Sequence, residues 1–408
     1  MTNVPGPKST ELAAQWQSVM MNNYGTPQLA LSHGKGARVW DVDGNEYLDL
    51  LGGIATSSLG HAHPAVAQAV AEQVTQLIHT SNLYAHQPGL KLARTLVDLL
   101  GVQARVFFCQ DGATANEAAF KLARRHGWTS DPDGGRLEIV AATGSFHGRT
   151  MGALSITGSP GKRDKFVPLV GPVKFIPYGD AEALQAAVTD QTAAVFLETV
   201  QGEGGVIPAP EGYLAAARAA CDANGATLVV DEVQSGIGRT GAWFSSIDAG
   251  VVPDVITLAK GLAGGMPLGA VLAIGPAGEL FAPGDHGSTF GGNPVSCAAA
   301  LAVINTIQSE DLLTNVKNIG EHWVSSFNSI DHPGLAGVRG KGLWLALELA
   351  QTNSAAVQTS AREHGFLVNA VTPDAIRLAP PLNLTRSEAD EFTQALPSIL
   401  TRAAEPTQ

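Results

Sequence analysis

Seven short apolar runs set the strongest constraint on how this chain can fold. They are "RVFFC" (105–109), "LEIVAA" (137–142), "VKFI" (173–176), "AAVFLE" (193–198), "ATLVVD" (226–231), "DVITLA" (254–259) and "GAVLAI" (269–274). None alternates apolar with polar residues, so each reads as a strand covered on both faces. Helical patterns over 64–78, 88–100, 114–126 and 211–224 are interspersed with them and can supply that cover. The expectation is an α/β chain built on a mostly parallel sheet. Ahead of it, residues 37–50 read as a hairpin turning at Asp43-Gly44. Beyond a helical region over 293–330, "GKGLWLALEL", "GFLVNAV" and "AIRLAP" add strands for a smaller lobe.

The rest of the composition narrows the class. The chain has 408 residues, more than one typical domain, with 45% hydrophobic and 15% charged residues, the balance of a large packed enzyme rather than a disordered or fibrous protein. A formal charge of −12 argues against a basic surface for nucleic acid or anionic membrane. Cys109, Cys221 and Cys297 are far apart and form no metal-binding or disulfide pattern, so no metal is expected. "MTNVPGPKSTELAAQWQSVM" at the start has no signal-peptide core, and no run is long enough for a membrane helix. A soluble, cytoplasmic protein is expected.

Ligands of open α/β sheets collect beyond the carboxyl ends of the strands, and here those ends carry chemistry. "QDGATANEAAF" after the first run is a glycine-containing turn entering a helix, suited to a phosphate or simply capped by Asp111. "TGSFHGRT" offers the ring of Phe146 and the guanidinium of Arg149. "AAVFLETVQGEGG" ends in Glu198, with Glu203 in the loop beyond. Asp231 closes the most hydrophobic run, where a carboxylate needs partners to offset its desolvation. Lys260 leaves the sixth run and is followed by Gly261, Gly264, Gly265 and Gly269.

One motif misleads. Residues 236–241, "GIGRTG", match the dinucleotide fingerprint G-x-G-x-x-G, yet they begin five residues past Asp231, no amphipathic helix follows, and the ribose-binding acid would fall near Lys260. A nicotinamide enzyme is therefore rejected. A lysine able to form an imine, an acid to keep a pyridine nitrogen protonated, a phosphate turn and a stacking ring are instead the groups that pyridoxal phosphate (PLP) needs.

"LGHAHP", "TGSFHGRT", "DEVQSGIGRTG", "LAKGLAGGMPLGA" and "STFGGNP", in this order, resemble the class III PLP-dependent aminotransferases over about residues 24–402. The resemblance implies fold type I, an α/β architecture. It comprises a large PLP-binding domain with a mostly parallel central sheet (61–310) and a smaller α+β domain built from both chain ends (1–60 and 311–408). It implies Lys260 and Asp231 as catalytic residues, with cofactor-binding positions Gly112, Ala113, Phe146, Asp231, Glu232, Val233, Gln234, Lys260 and Thr289. Thr289 would act from the neighbouring subunit of a homodimer whose active sites lie at the interface. Arg149, Ser288, Arg377 and Glu198 would face the substrate: Arg149 its α-carboxylate, Arg377 a carboxylate of the 2-oxoglutarate/glutamate pair, and Glu198 screening that arginine for donors with one carboxylate. The expected reaction transfers the δ-amino group between N2-acetylornithine and 2-oxoglutarate, giving N-acetylglutamate 5-semialdehyde and glutamate, in arginine biosynthesis. Alternatives are a succinylornithine, N-acyl-lysine-type or 4-aminobutyrate donor, an aminomutase, or a non-catalytic relative.

Two positions depart from the family pattern. The phosphate turn reads Asp111-Gly112-Ala113-Thr114-Ala115 where Ser-Gly-Ala/Thr-Glu-Ala is usual. Asp111 is therefore expected to point away from a phosphate and cap the helix. Ile54 stands where ornithine δ-aminotransferases carry a tyrosine, which favours an acylated ornithine, although 4-aminobutyrate transaminases can also be apolar there, so it removes one candidate without selecting another.

Overall fold

The computed structural model describes residues 6–405. The ends of the stretches 1–60 and 311–408, including the first residues of the N-terminus read above for targeting, lie outside the described residues. Two compact units divide the chain: one takes in residues up to Pro64 and from Thr314 onward, the other is Ala65–Leu313.

The Ala65–Leu313 unit is organised by one seven-stranded sheet. Its strands are β1 (Ala104–Cys109), β2 (Glu138–Ala142), β3 (Val173–Ile176), β4 (Thr192–Glu198), β5 (Thr227–Asp231), β6 (Val255–Leu258) and β7 (Gly269–Ile274). The order across the sheet is β1-β7-β6-β5-β4-β2-β3. All seven apolar runs of the sequence are therefore strands of this one sheet. Only β7 is antiparallel to its neighbours, β6 and β1. The carboxyl ends of the other strands consequently share one edge, joined there by the amino end of β7.

The lack of polar alternation has a direct cause. Ile139, Ala141, Phe196 and Val229 belong to a core on one face of the sheet, while Val140, Ala142, Val195, Leu197, Leu228 and Val230 belong to a second core on the other. Successive side chains point to opposite faces, so a strand covered twice must be apolar at every step. The helices of this unit include α1 (Pro64–Val74), α2 (Gln87–Leu100), α3 (Gly112–Ser130), α4 (Tyr213–Asn224) and α5 (Pro294–Ser309), of which α2, α3 and α4 pack directly on the sheet. Helix α3 sits close to the sheet because its buried face is built of small residues, Ala115, Ala118, Ala119 and Ala123.

In the other unit, Arg38–Asp41 and Glu46–Asp49 form the expected hairpin, with Gly44 at φ +92° in the turn. A four-stranded sheet pairs Leu335–Lys341, Trp344–Leu349, Ala375–Leu378 and Asn369–Thr372. "GFLVNAV" is not one strand: Phe366–Leu367 pairs with Glu46–Asp49, and Asn369–Thr372 joins Ala375–Leu378.

Candidate active site

The active-site candidates of the Ala65–Leu313 unit sit at the shared strand edge. The ladder places Asp231 opposite Glu198 of β4 on one side and opposite Thr257 of β6 on the other. Two residues past β6 stands Lys260, half-buried. Its backbone has φ +36°, the left-handed region a side-chain-bearing residue normally avoids. Such strain persists where the surroundings over-determine it, and it concentrates at functional sites. Here it ends the strand abruptly and starts a tight turn closed by Gly264 at φ +59°.

Asp231 is 6% exposed and bound on both oxygens. Oδ2 accepts from Asn116 Nδ2 at 2.7 Å and from His147 Nδ1 at 2.8 Å. Oδ1 accepts the backbone N–H of Val233 at 2.9 Å. These donors come from three segments: α3, the loop after β2 and the turn after β5. Asn116 is itself oriented, its Oδ1 accepting from Thr257 Oγ1 at 2.9 Å and its Nδ2 also donating to His147 O at 2.7 Å. Burial opposes a charged imidazolium at His147, yet the hydrogen bond and charge of Asp231, with a smaller contribution from Glu198, hold its pKa above the ordinary 6.5. Its Nε2 is buried without a hydrogen-bond partner among the described residues.

Glu198, 4% exposed, has a different environment. One carboxylate contact is the Phe146 N–H, donating to Oε2 at 3.2 Å. Burial drives its pKa up to about 8, reinforced by the charge of Asp231 and opposed by His147, the Phe146 N–H and Lys260.

The loop after β2 brings Phe146 and Arg149 together. Phe146 is half-buried, with the Arg149 guanidinium 5.6 Å from its ring centre and Lys162 Nζ at 4.7 Å. Lys162 is paired with Glu203 at 3.0 Å. Arg149 is exposed. Glu117 of α3 anchors the far side of this loop by accepting from Thr150 Oγ1 at 2.6 Å and from the N–H groups of Gly152 and Ala153 at 3.0 and 3.1 Å.

At the amino end of α3, Asp111 caps the helix as expected, its Oδ1 accepting the Thr114 N–H at 2.7 Å. Thr114 completes the box: its Oγ1 accepts the Asp111 N–H at 3.1 Å and donates to Asp111 Oδ1 at 2.8 Å. A Cβ on Gly112 would lie 2.6 Å from Val233 Cγ1, so this turn and the one after Asp231 abut at a distance only glycine permits. A flat cofactor with an anionic tail fits these surroundings: a lysine and a clamped acid at one strand edge, an aromatic ring, and a helix amino end with an adjoining cleft closed to side chains.

Glu232 is placed elsewhere. Its carboxylate accepts from the Ser245 and Ser246 N–H groups at 2.6 and 2.8 Å and from Ser246 Oγ at 2.6 Å. These contacts anchor the turn after β5 to the Ser245–Ser246 segment. The false fingerprint at 236–241 folds back on itself, with Ile237 and Gly238 donating to the Trp243 and Ala242 carbonyls at 2.8 and 3.1 Å, and no helix opens there. Thr289 is exposed and Ser288 half-buried. In the other unit, Arg377 is buried on Ala375–Leu378 and donates to Asn369 Oδ1 at 2.8 Å. Ile54, at φ +62°, is exposed. Asn116, His147 and Glu117 are site-building residues that the sequence reading missed. "FHGRT" carried His147 in plain view, but its pairing with Asp231 spans 84 positions.

A strand-edge lysine beside a clamped carboxylate is the arrangement of a PLP enzyme, and residues 19–400 match the family Aminotransferase class-III, to which this chain belongs. It is a PLP-dependent aminotransferase of fold type I. Acetylornithine aminotransferase of Mycolicibacterium smegmatis is 55% identical over 394 residues, covering 97% of this chain and 99% of that protein. The acetylornithine aminotransferase of Streptomyces coelicolor is 54% identical, with 97% and 96% covered. Among solved structures, N-acetylornithine aminotransferase from Stenotrophomonas maltophilia aligns with a TM-score of 0.81 at 36% identity, covering 93% and 97% of the two chains. Ornithine aminotransferase from Toxoplasma gondii aligns at 0.91 and 31%, covering 96% and 95%. Another structure of the Toxoplasma enzyme is described with PLP in partial occupancy at the active site.

Proposed function

We propose that this enzyme transfers the δ-amino group between N2-acetylornithine and 2-oxoglutarate, interconverting them with N-acetylglutamate 5-semialdehyde and glutamate, in arginine biosynthesis. The observation that carries the reading is the placing of Lys260 and the clamped Asp231 at the ends of two adjacent parallel strands, in a chain 55% identical to an acetylornithine aminotransferase over nearly its whole length.

Bound PLP supplies an electron sink for the carbon that loses its proton. The chain's own residues do the rest. Lys260 Nζ would hold the cofactor between turnovers and would carry the proton as general base and then general acid. Asp231 would face the pyridine nitrogen, and Asn116, His147 and the Val233 N–H fix the direction of its lone pairs. Phe146 and Val233 would hold the ring, Gln234 its hydroxyl, and the N–H groups of Gly112 and Ala113 the phosphate. Arg149 binds the α-carboxylate, which lies far from the reacting δ-carbon and matches an arginine exposed at the loop rim. Arg377 is assigned to a carboxylate of the 2-oxoglutarate/glutamate pair, with Ser288 near the substrate.

The working unit is a homodimer with Thr289 acting across the interface. Exposed Leu83 (82%), Tyr84 (72%), Leu90 (64%) and Phe290 (61%) support this, since large apolar side chains so open to water mark an association surface. Among the described residues no helix is long and apolar enough to cross a membrane, and we place the reaction in the cytoplasm, where its small soluble substrates are made. The two compact units are taken as the large and small domains.

Ornithine is the second donor to test, because the Toxoplasma enzyme of like structure carries that name. Ile54 speaks against it: the family's ornithine enzymes place a tyrosine there. Initial rates with N-acetylornithine, succinylornithine, ornithine and 4-aminobutyrate against 2-oxoglutarate test the assignment. N-acetylornithine should lead, and a clear preference for any other donor refutes it. Lys260→Ala should abolish turnover and the visible absorption of the lysine-bound cofactor.

A further inference from the structure

The turn that carries Thr289 is held from outside the strand edge. Asn82 Nδ2 donates to the carbonyls of Ser288 and Gly291, each at 3.1 Å. The two acceptors bracket Thr289 and Phe290, so a single amide group spans the turn. Ser288 Oγ closes it internally by accepting the Gly291 N–H at 2.9 Å. Behind the turn there is no slack: a Cβ on Gly291 would lie 2.2 Å from the Phe108 carbonyl of β1.

Asn82 is itself aimed by an unusual backbone. It sits in the single 3-10 turn Ser81–Leu83, entered through Ser81 at φ +59°, a left-handed conformation that costs a serine free energy. Two further contacts tie the same segments: Asn293 Nδ2 donates to Ile78 O at 2.8 Å, and the His79 and Phe290 rings lie 5.2 Å apart. Leu83, Tyr84 and Phe290, the exposed apolar residues assigned to the subunit interface, therefore belong to one hydrogen-bonded assembly with Thr289.

We propose that Asn82 is a positioning residue for the cofactor phosphate. By spanning Ser288 and Gly291 it fixes the turn that presents Thr289 to the PLP phosphate of the neighbouring subunit. The inference rests on the reading of Thr289 given above. Asn82 directs its amide group to these two carbonyls, so losing it removes none of the groups assigned to the ring or to the lysine. It should therefore lower affinity for the phosphate moiety alone.

Pyridoxal, which lacks the phosphate, isolates that moiety. Apoprotein of the full chain is titrated with PLP and with pyridoxal in phosphate-free buffer, following intrinsic fluorescence, while sedimentation monitors the dimer. Two lost hydrogen bonds predict that Asn82→Ala weakens PLP about tenfold, leaves the pyridoxal dissociation constant within about twofold, and keeps the dimer. Asn82→Asp, which preserves shape but sets a carboxylate against two carbonyls, should do the same or more and serves if the alanine variant fails to fold. Equal weakening of both ligands, no change in either, or dissociation of the dimer in both variants overturns the inference. Thr289→Ala separates the two layers. If it leaves the ratio of the two constants at the wild-type value, the phosphate role of Thr289 falls and the positioning role with it. If Thr289→Ala lowers the preference for PLP and Asn82→Ala does not, the positioning role alone falls.

Discussion

The ends of β4 and β5 offer a controlled comparison. Each closes an apolar strand with a carboxylate, the two acids are ladder neighbours, and both are nearly inaccessible to water. Asp231 is met by an amide, an imidazole and a backbone N–H; Glu198 is met by one weak backbone N–H, and burial lifts its pKa to about 8. Position in the sheet is therefore not what decides a buried acid's chemistry. The donors brought to it from other segments decide whether its oxygens are fixed in direction, as in Asp231, or burial is left to push its pKa up, as in Glu198.

The largest expected effect tests the fixed anion. Asp231→Ala removes the group that stabilises charge on the cofactor nitrogen and should lower kcat by roughly 10²–10³-fold. A loss under tenfold, measured with cofactor saturating, would show that the clamped carboxylate is structural.

Next come the donors. His147→Ala and Asn116→Ala each remove one hydrogen bond to a buried charge, for which a roughly tenfold to hundredfold loss is expected. Because both act on one oxygen of Asp231, the double variant should cost less than the product of the two. The raised pKa of His147 adds a pH signature. Its favourable contribution is fully present below the unfolded value near 6.5 and is lost as pH rises through the folded value. Melting temperatures of wild type and His147→Ala apoprotein should thus differ most in mild acid and converge in base. Convergence in acid instead would contradict the assigned ion pair.

Glu198 gives a smaller effect of a different kind. Its folded pKa stands above the ordinary 4.5, so the protonated acid is the form the fold favours, and stability is lost as pH climbs toward about 8. Glu198→Gln mimics that neutral form. Its apoprotein should be matched to wild type near pH 4–5 and the more stable of the two above pH 8. Parallel stability curves would place the carboxylate in a better-solvated setting and erase the contrast with Asp231.

How much of this could be read in advance differs by level. The seven strands were legible because cover on both faces leaves no room for polar residues, and the terminal residues Glu198, Asp231 and Lys260 stand out against that background. The mutual order of the strands was legible only in part: β4, β5 and β6 are neighbours in sequence as in the sheet, but β7 inserts between β6 and β1, and β2 rather than β3 pairs with β4, which no local pattern encodes. The clamp was hidden for the same reason: Asn116 reaches Asp231 across 115 positions. Glu232 shows the converse limit. It is adjacent to Asp231 and also a carboxylic acid, but its side chain reaches Ser245 and Ser246. No local pattern distinguishes these two acids.

A third carboxylate after a strand end completes the comparison and carries the smallest predicted effect. Asp111 follows β1, is exposed, and spends its oxygen on the Thr114 N–H of its own helix. Losing this cap in Asp111→Ala should cost about 1 kcal/mol of stability. Asp111→Ser keeps a capping oxygen and deletes the charge, so its stability should stay within about 0.5 kcal/mol of wild type. A carboxylate near the helix amino end also repels the phosphate assigned there, screened by the surrounding water. The serine variant should accordingly hold PLP a few-fold more tightly, and the difference should shrink as ionic strength rises. A titration showing weaker PLP binding in Asp111→Ser would mean that the cap geometry, not the charge, governs this turn. An exposed acid would then act, unlike Asp231, through the positions it fixes rather than through its charge.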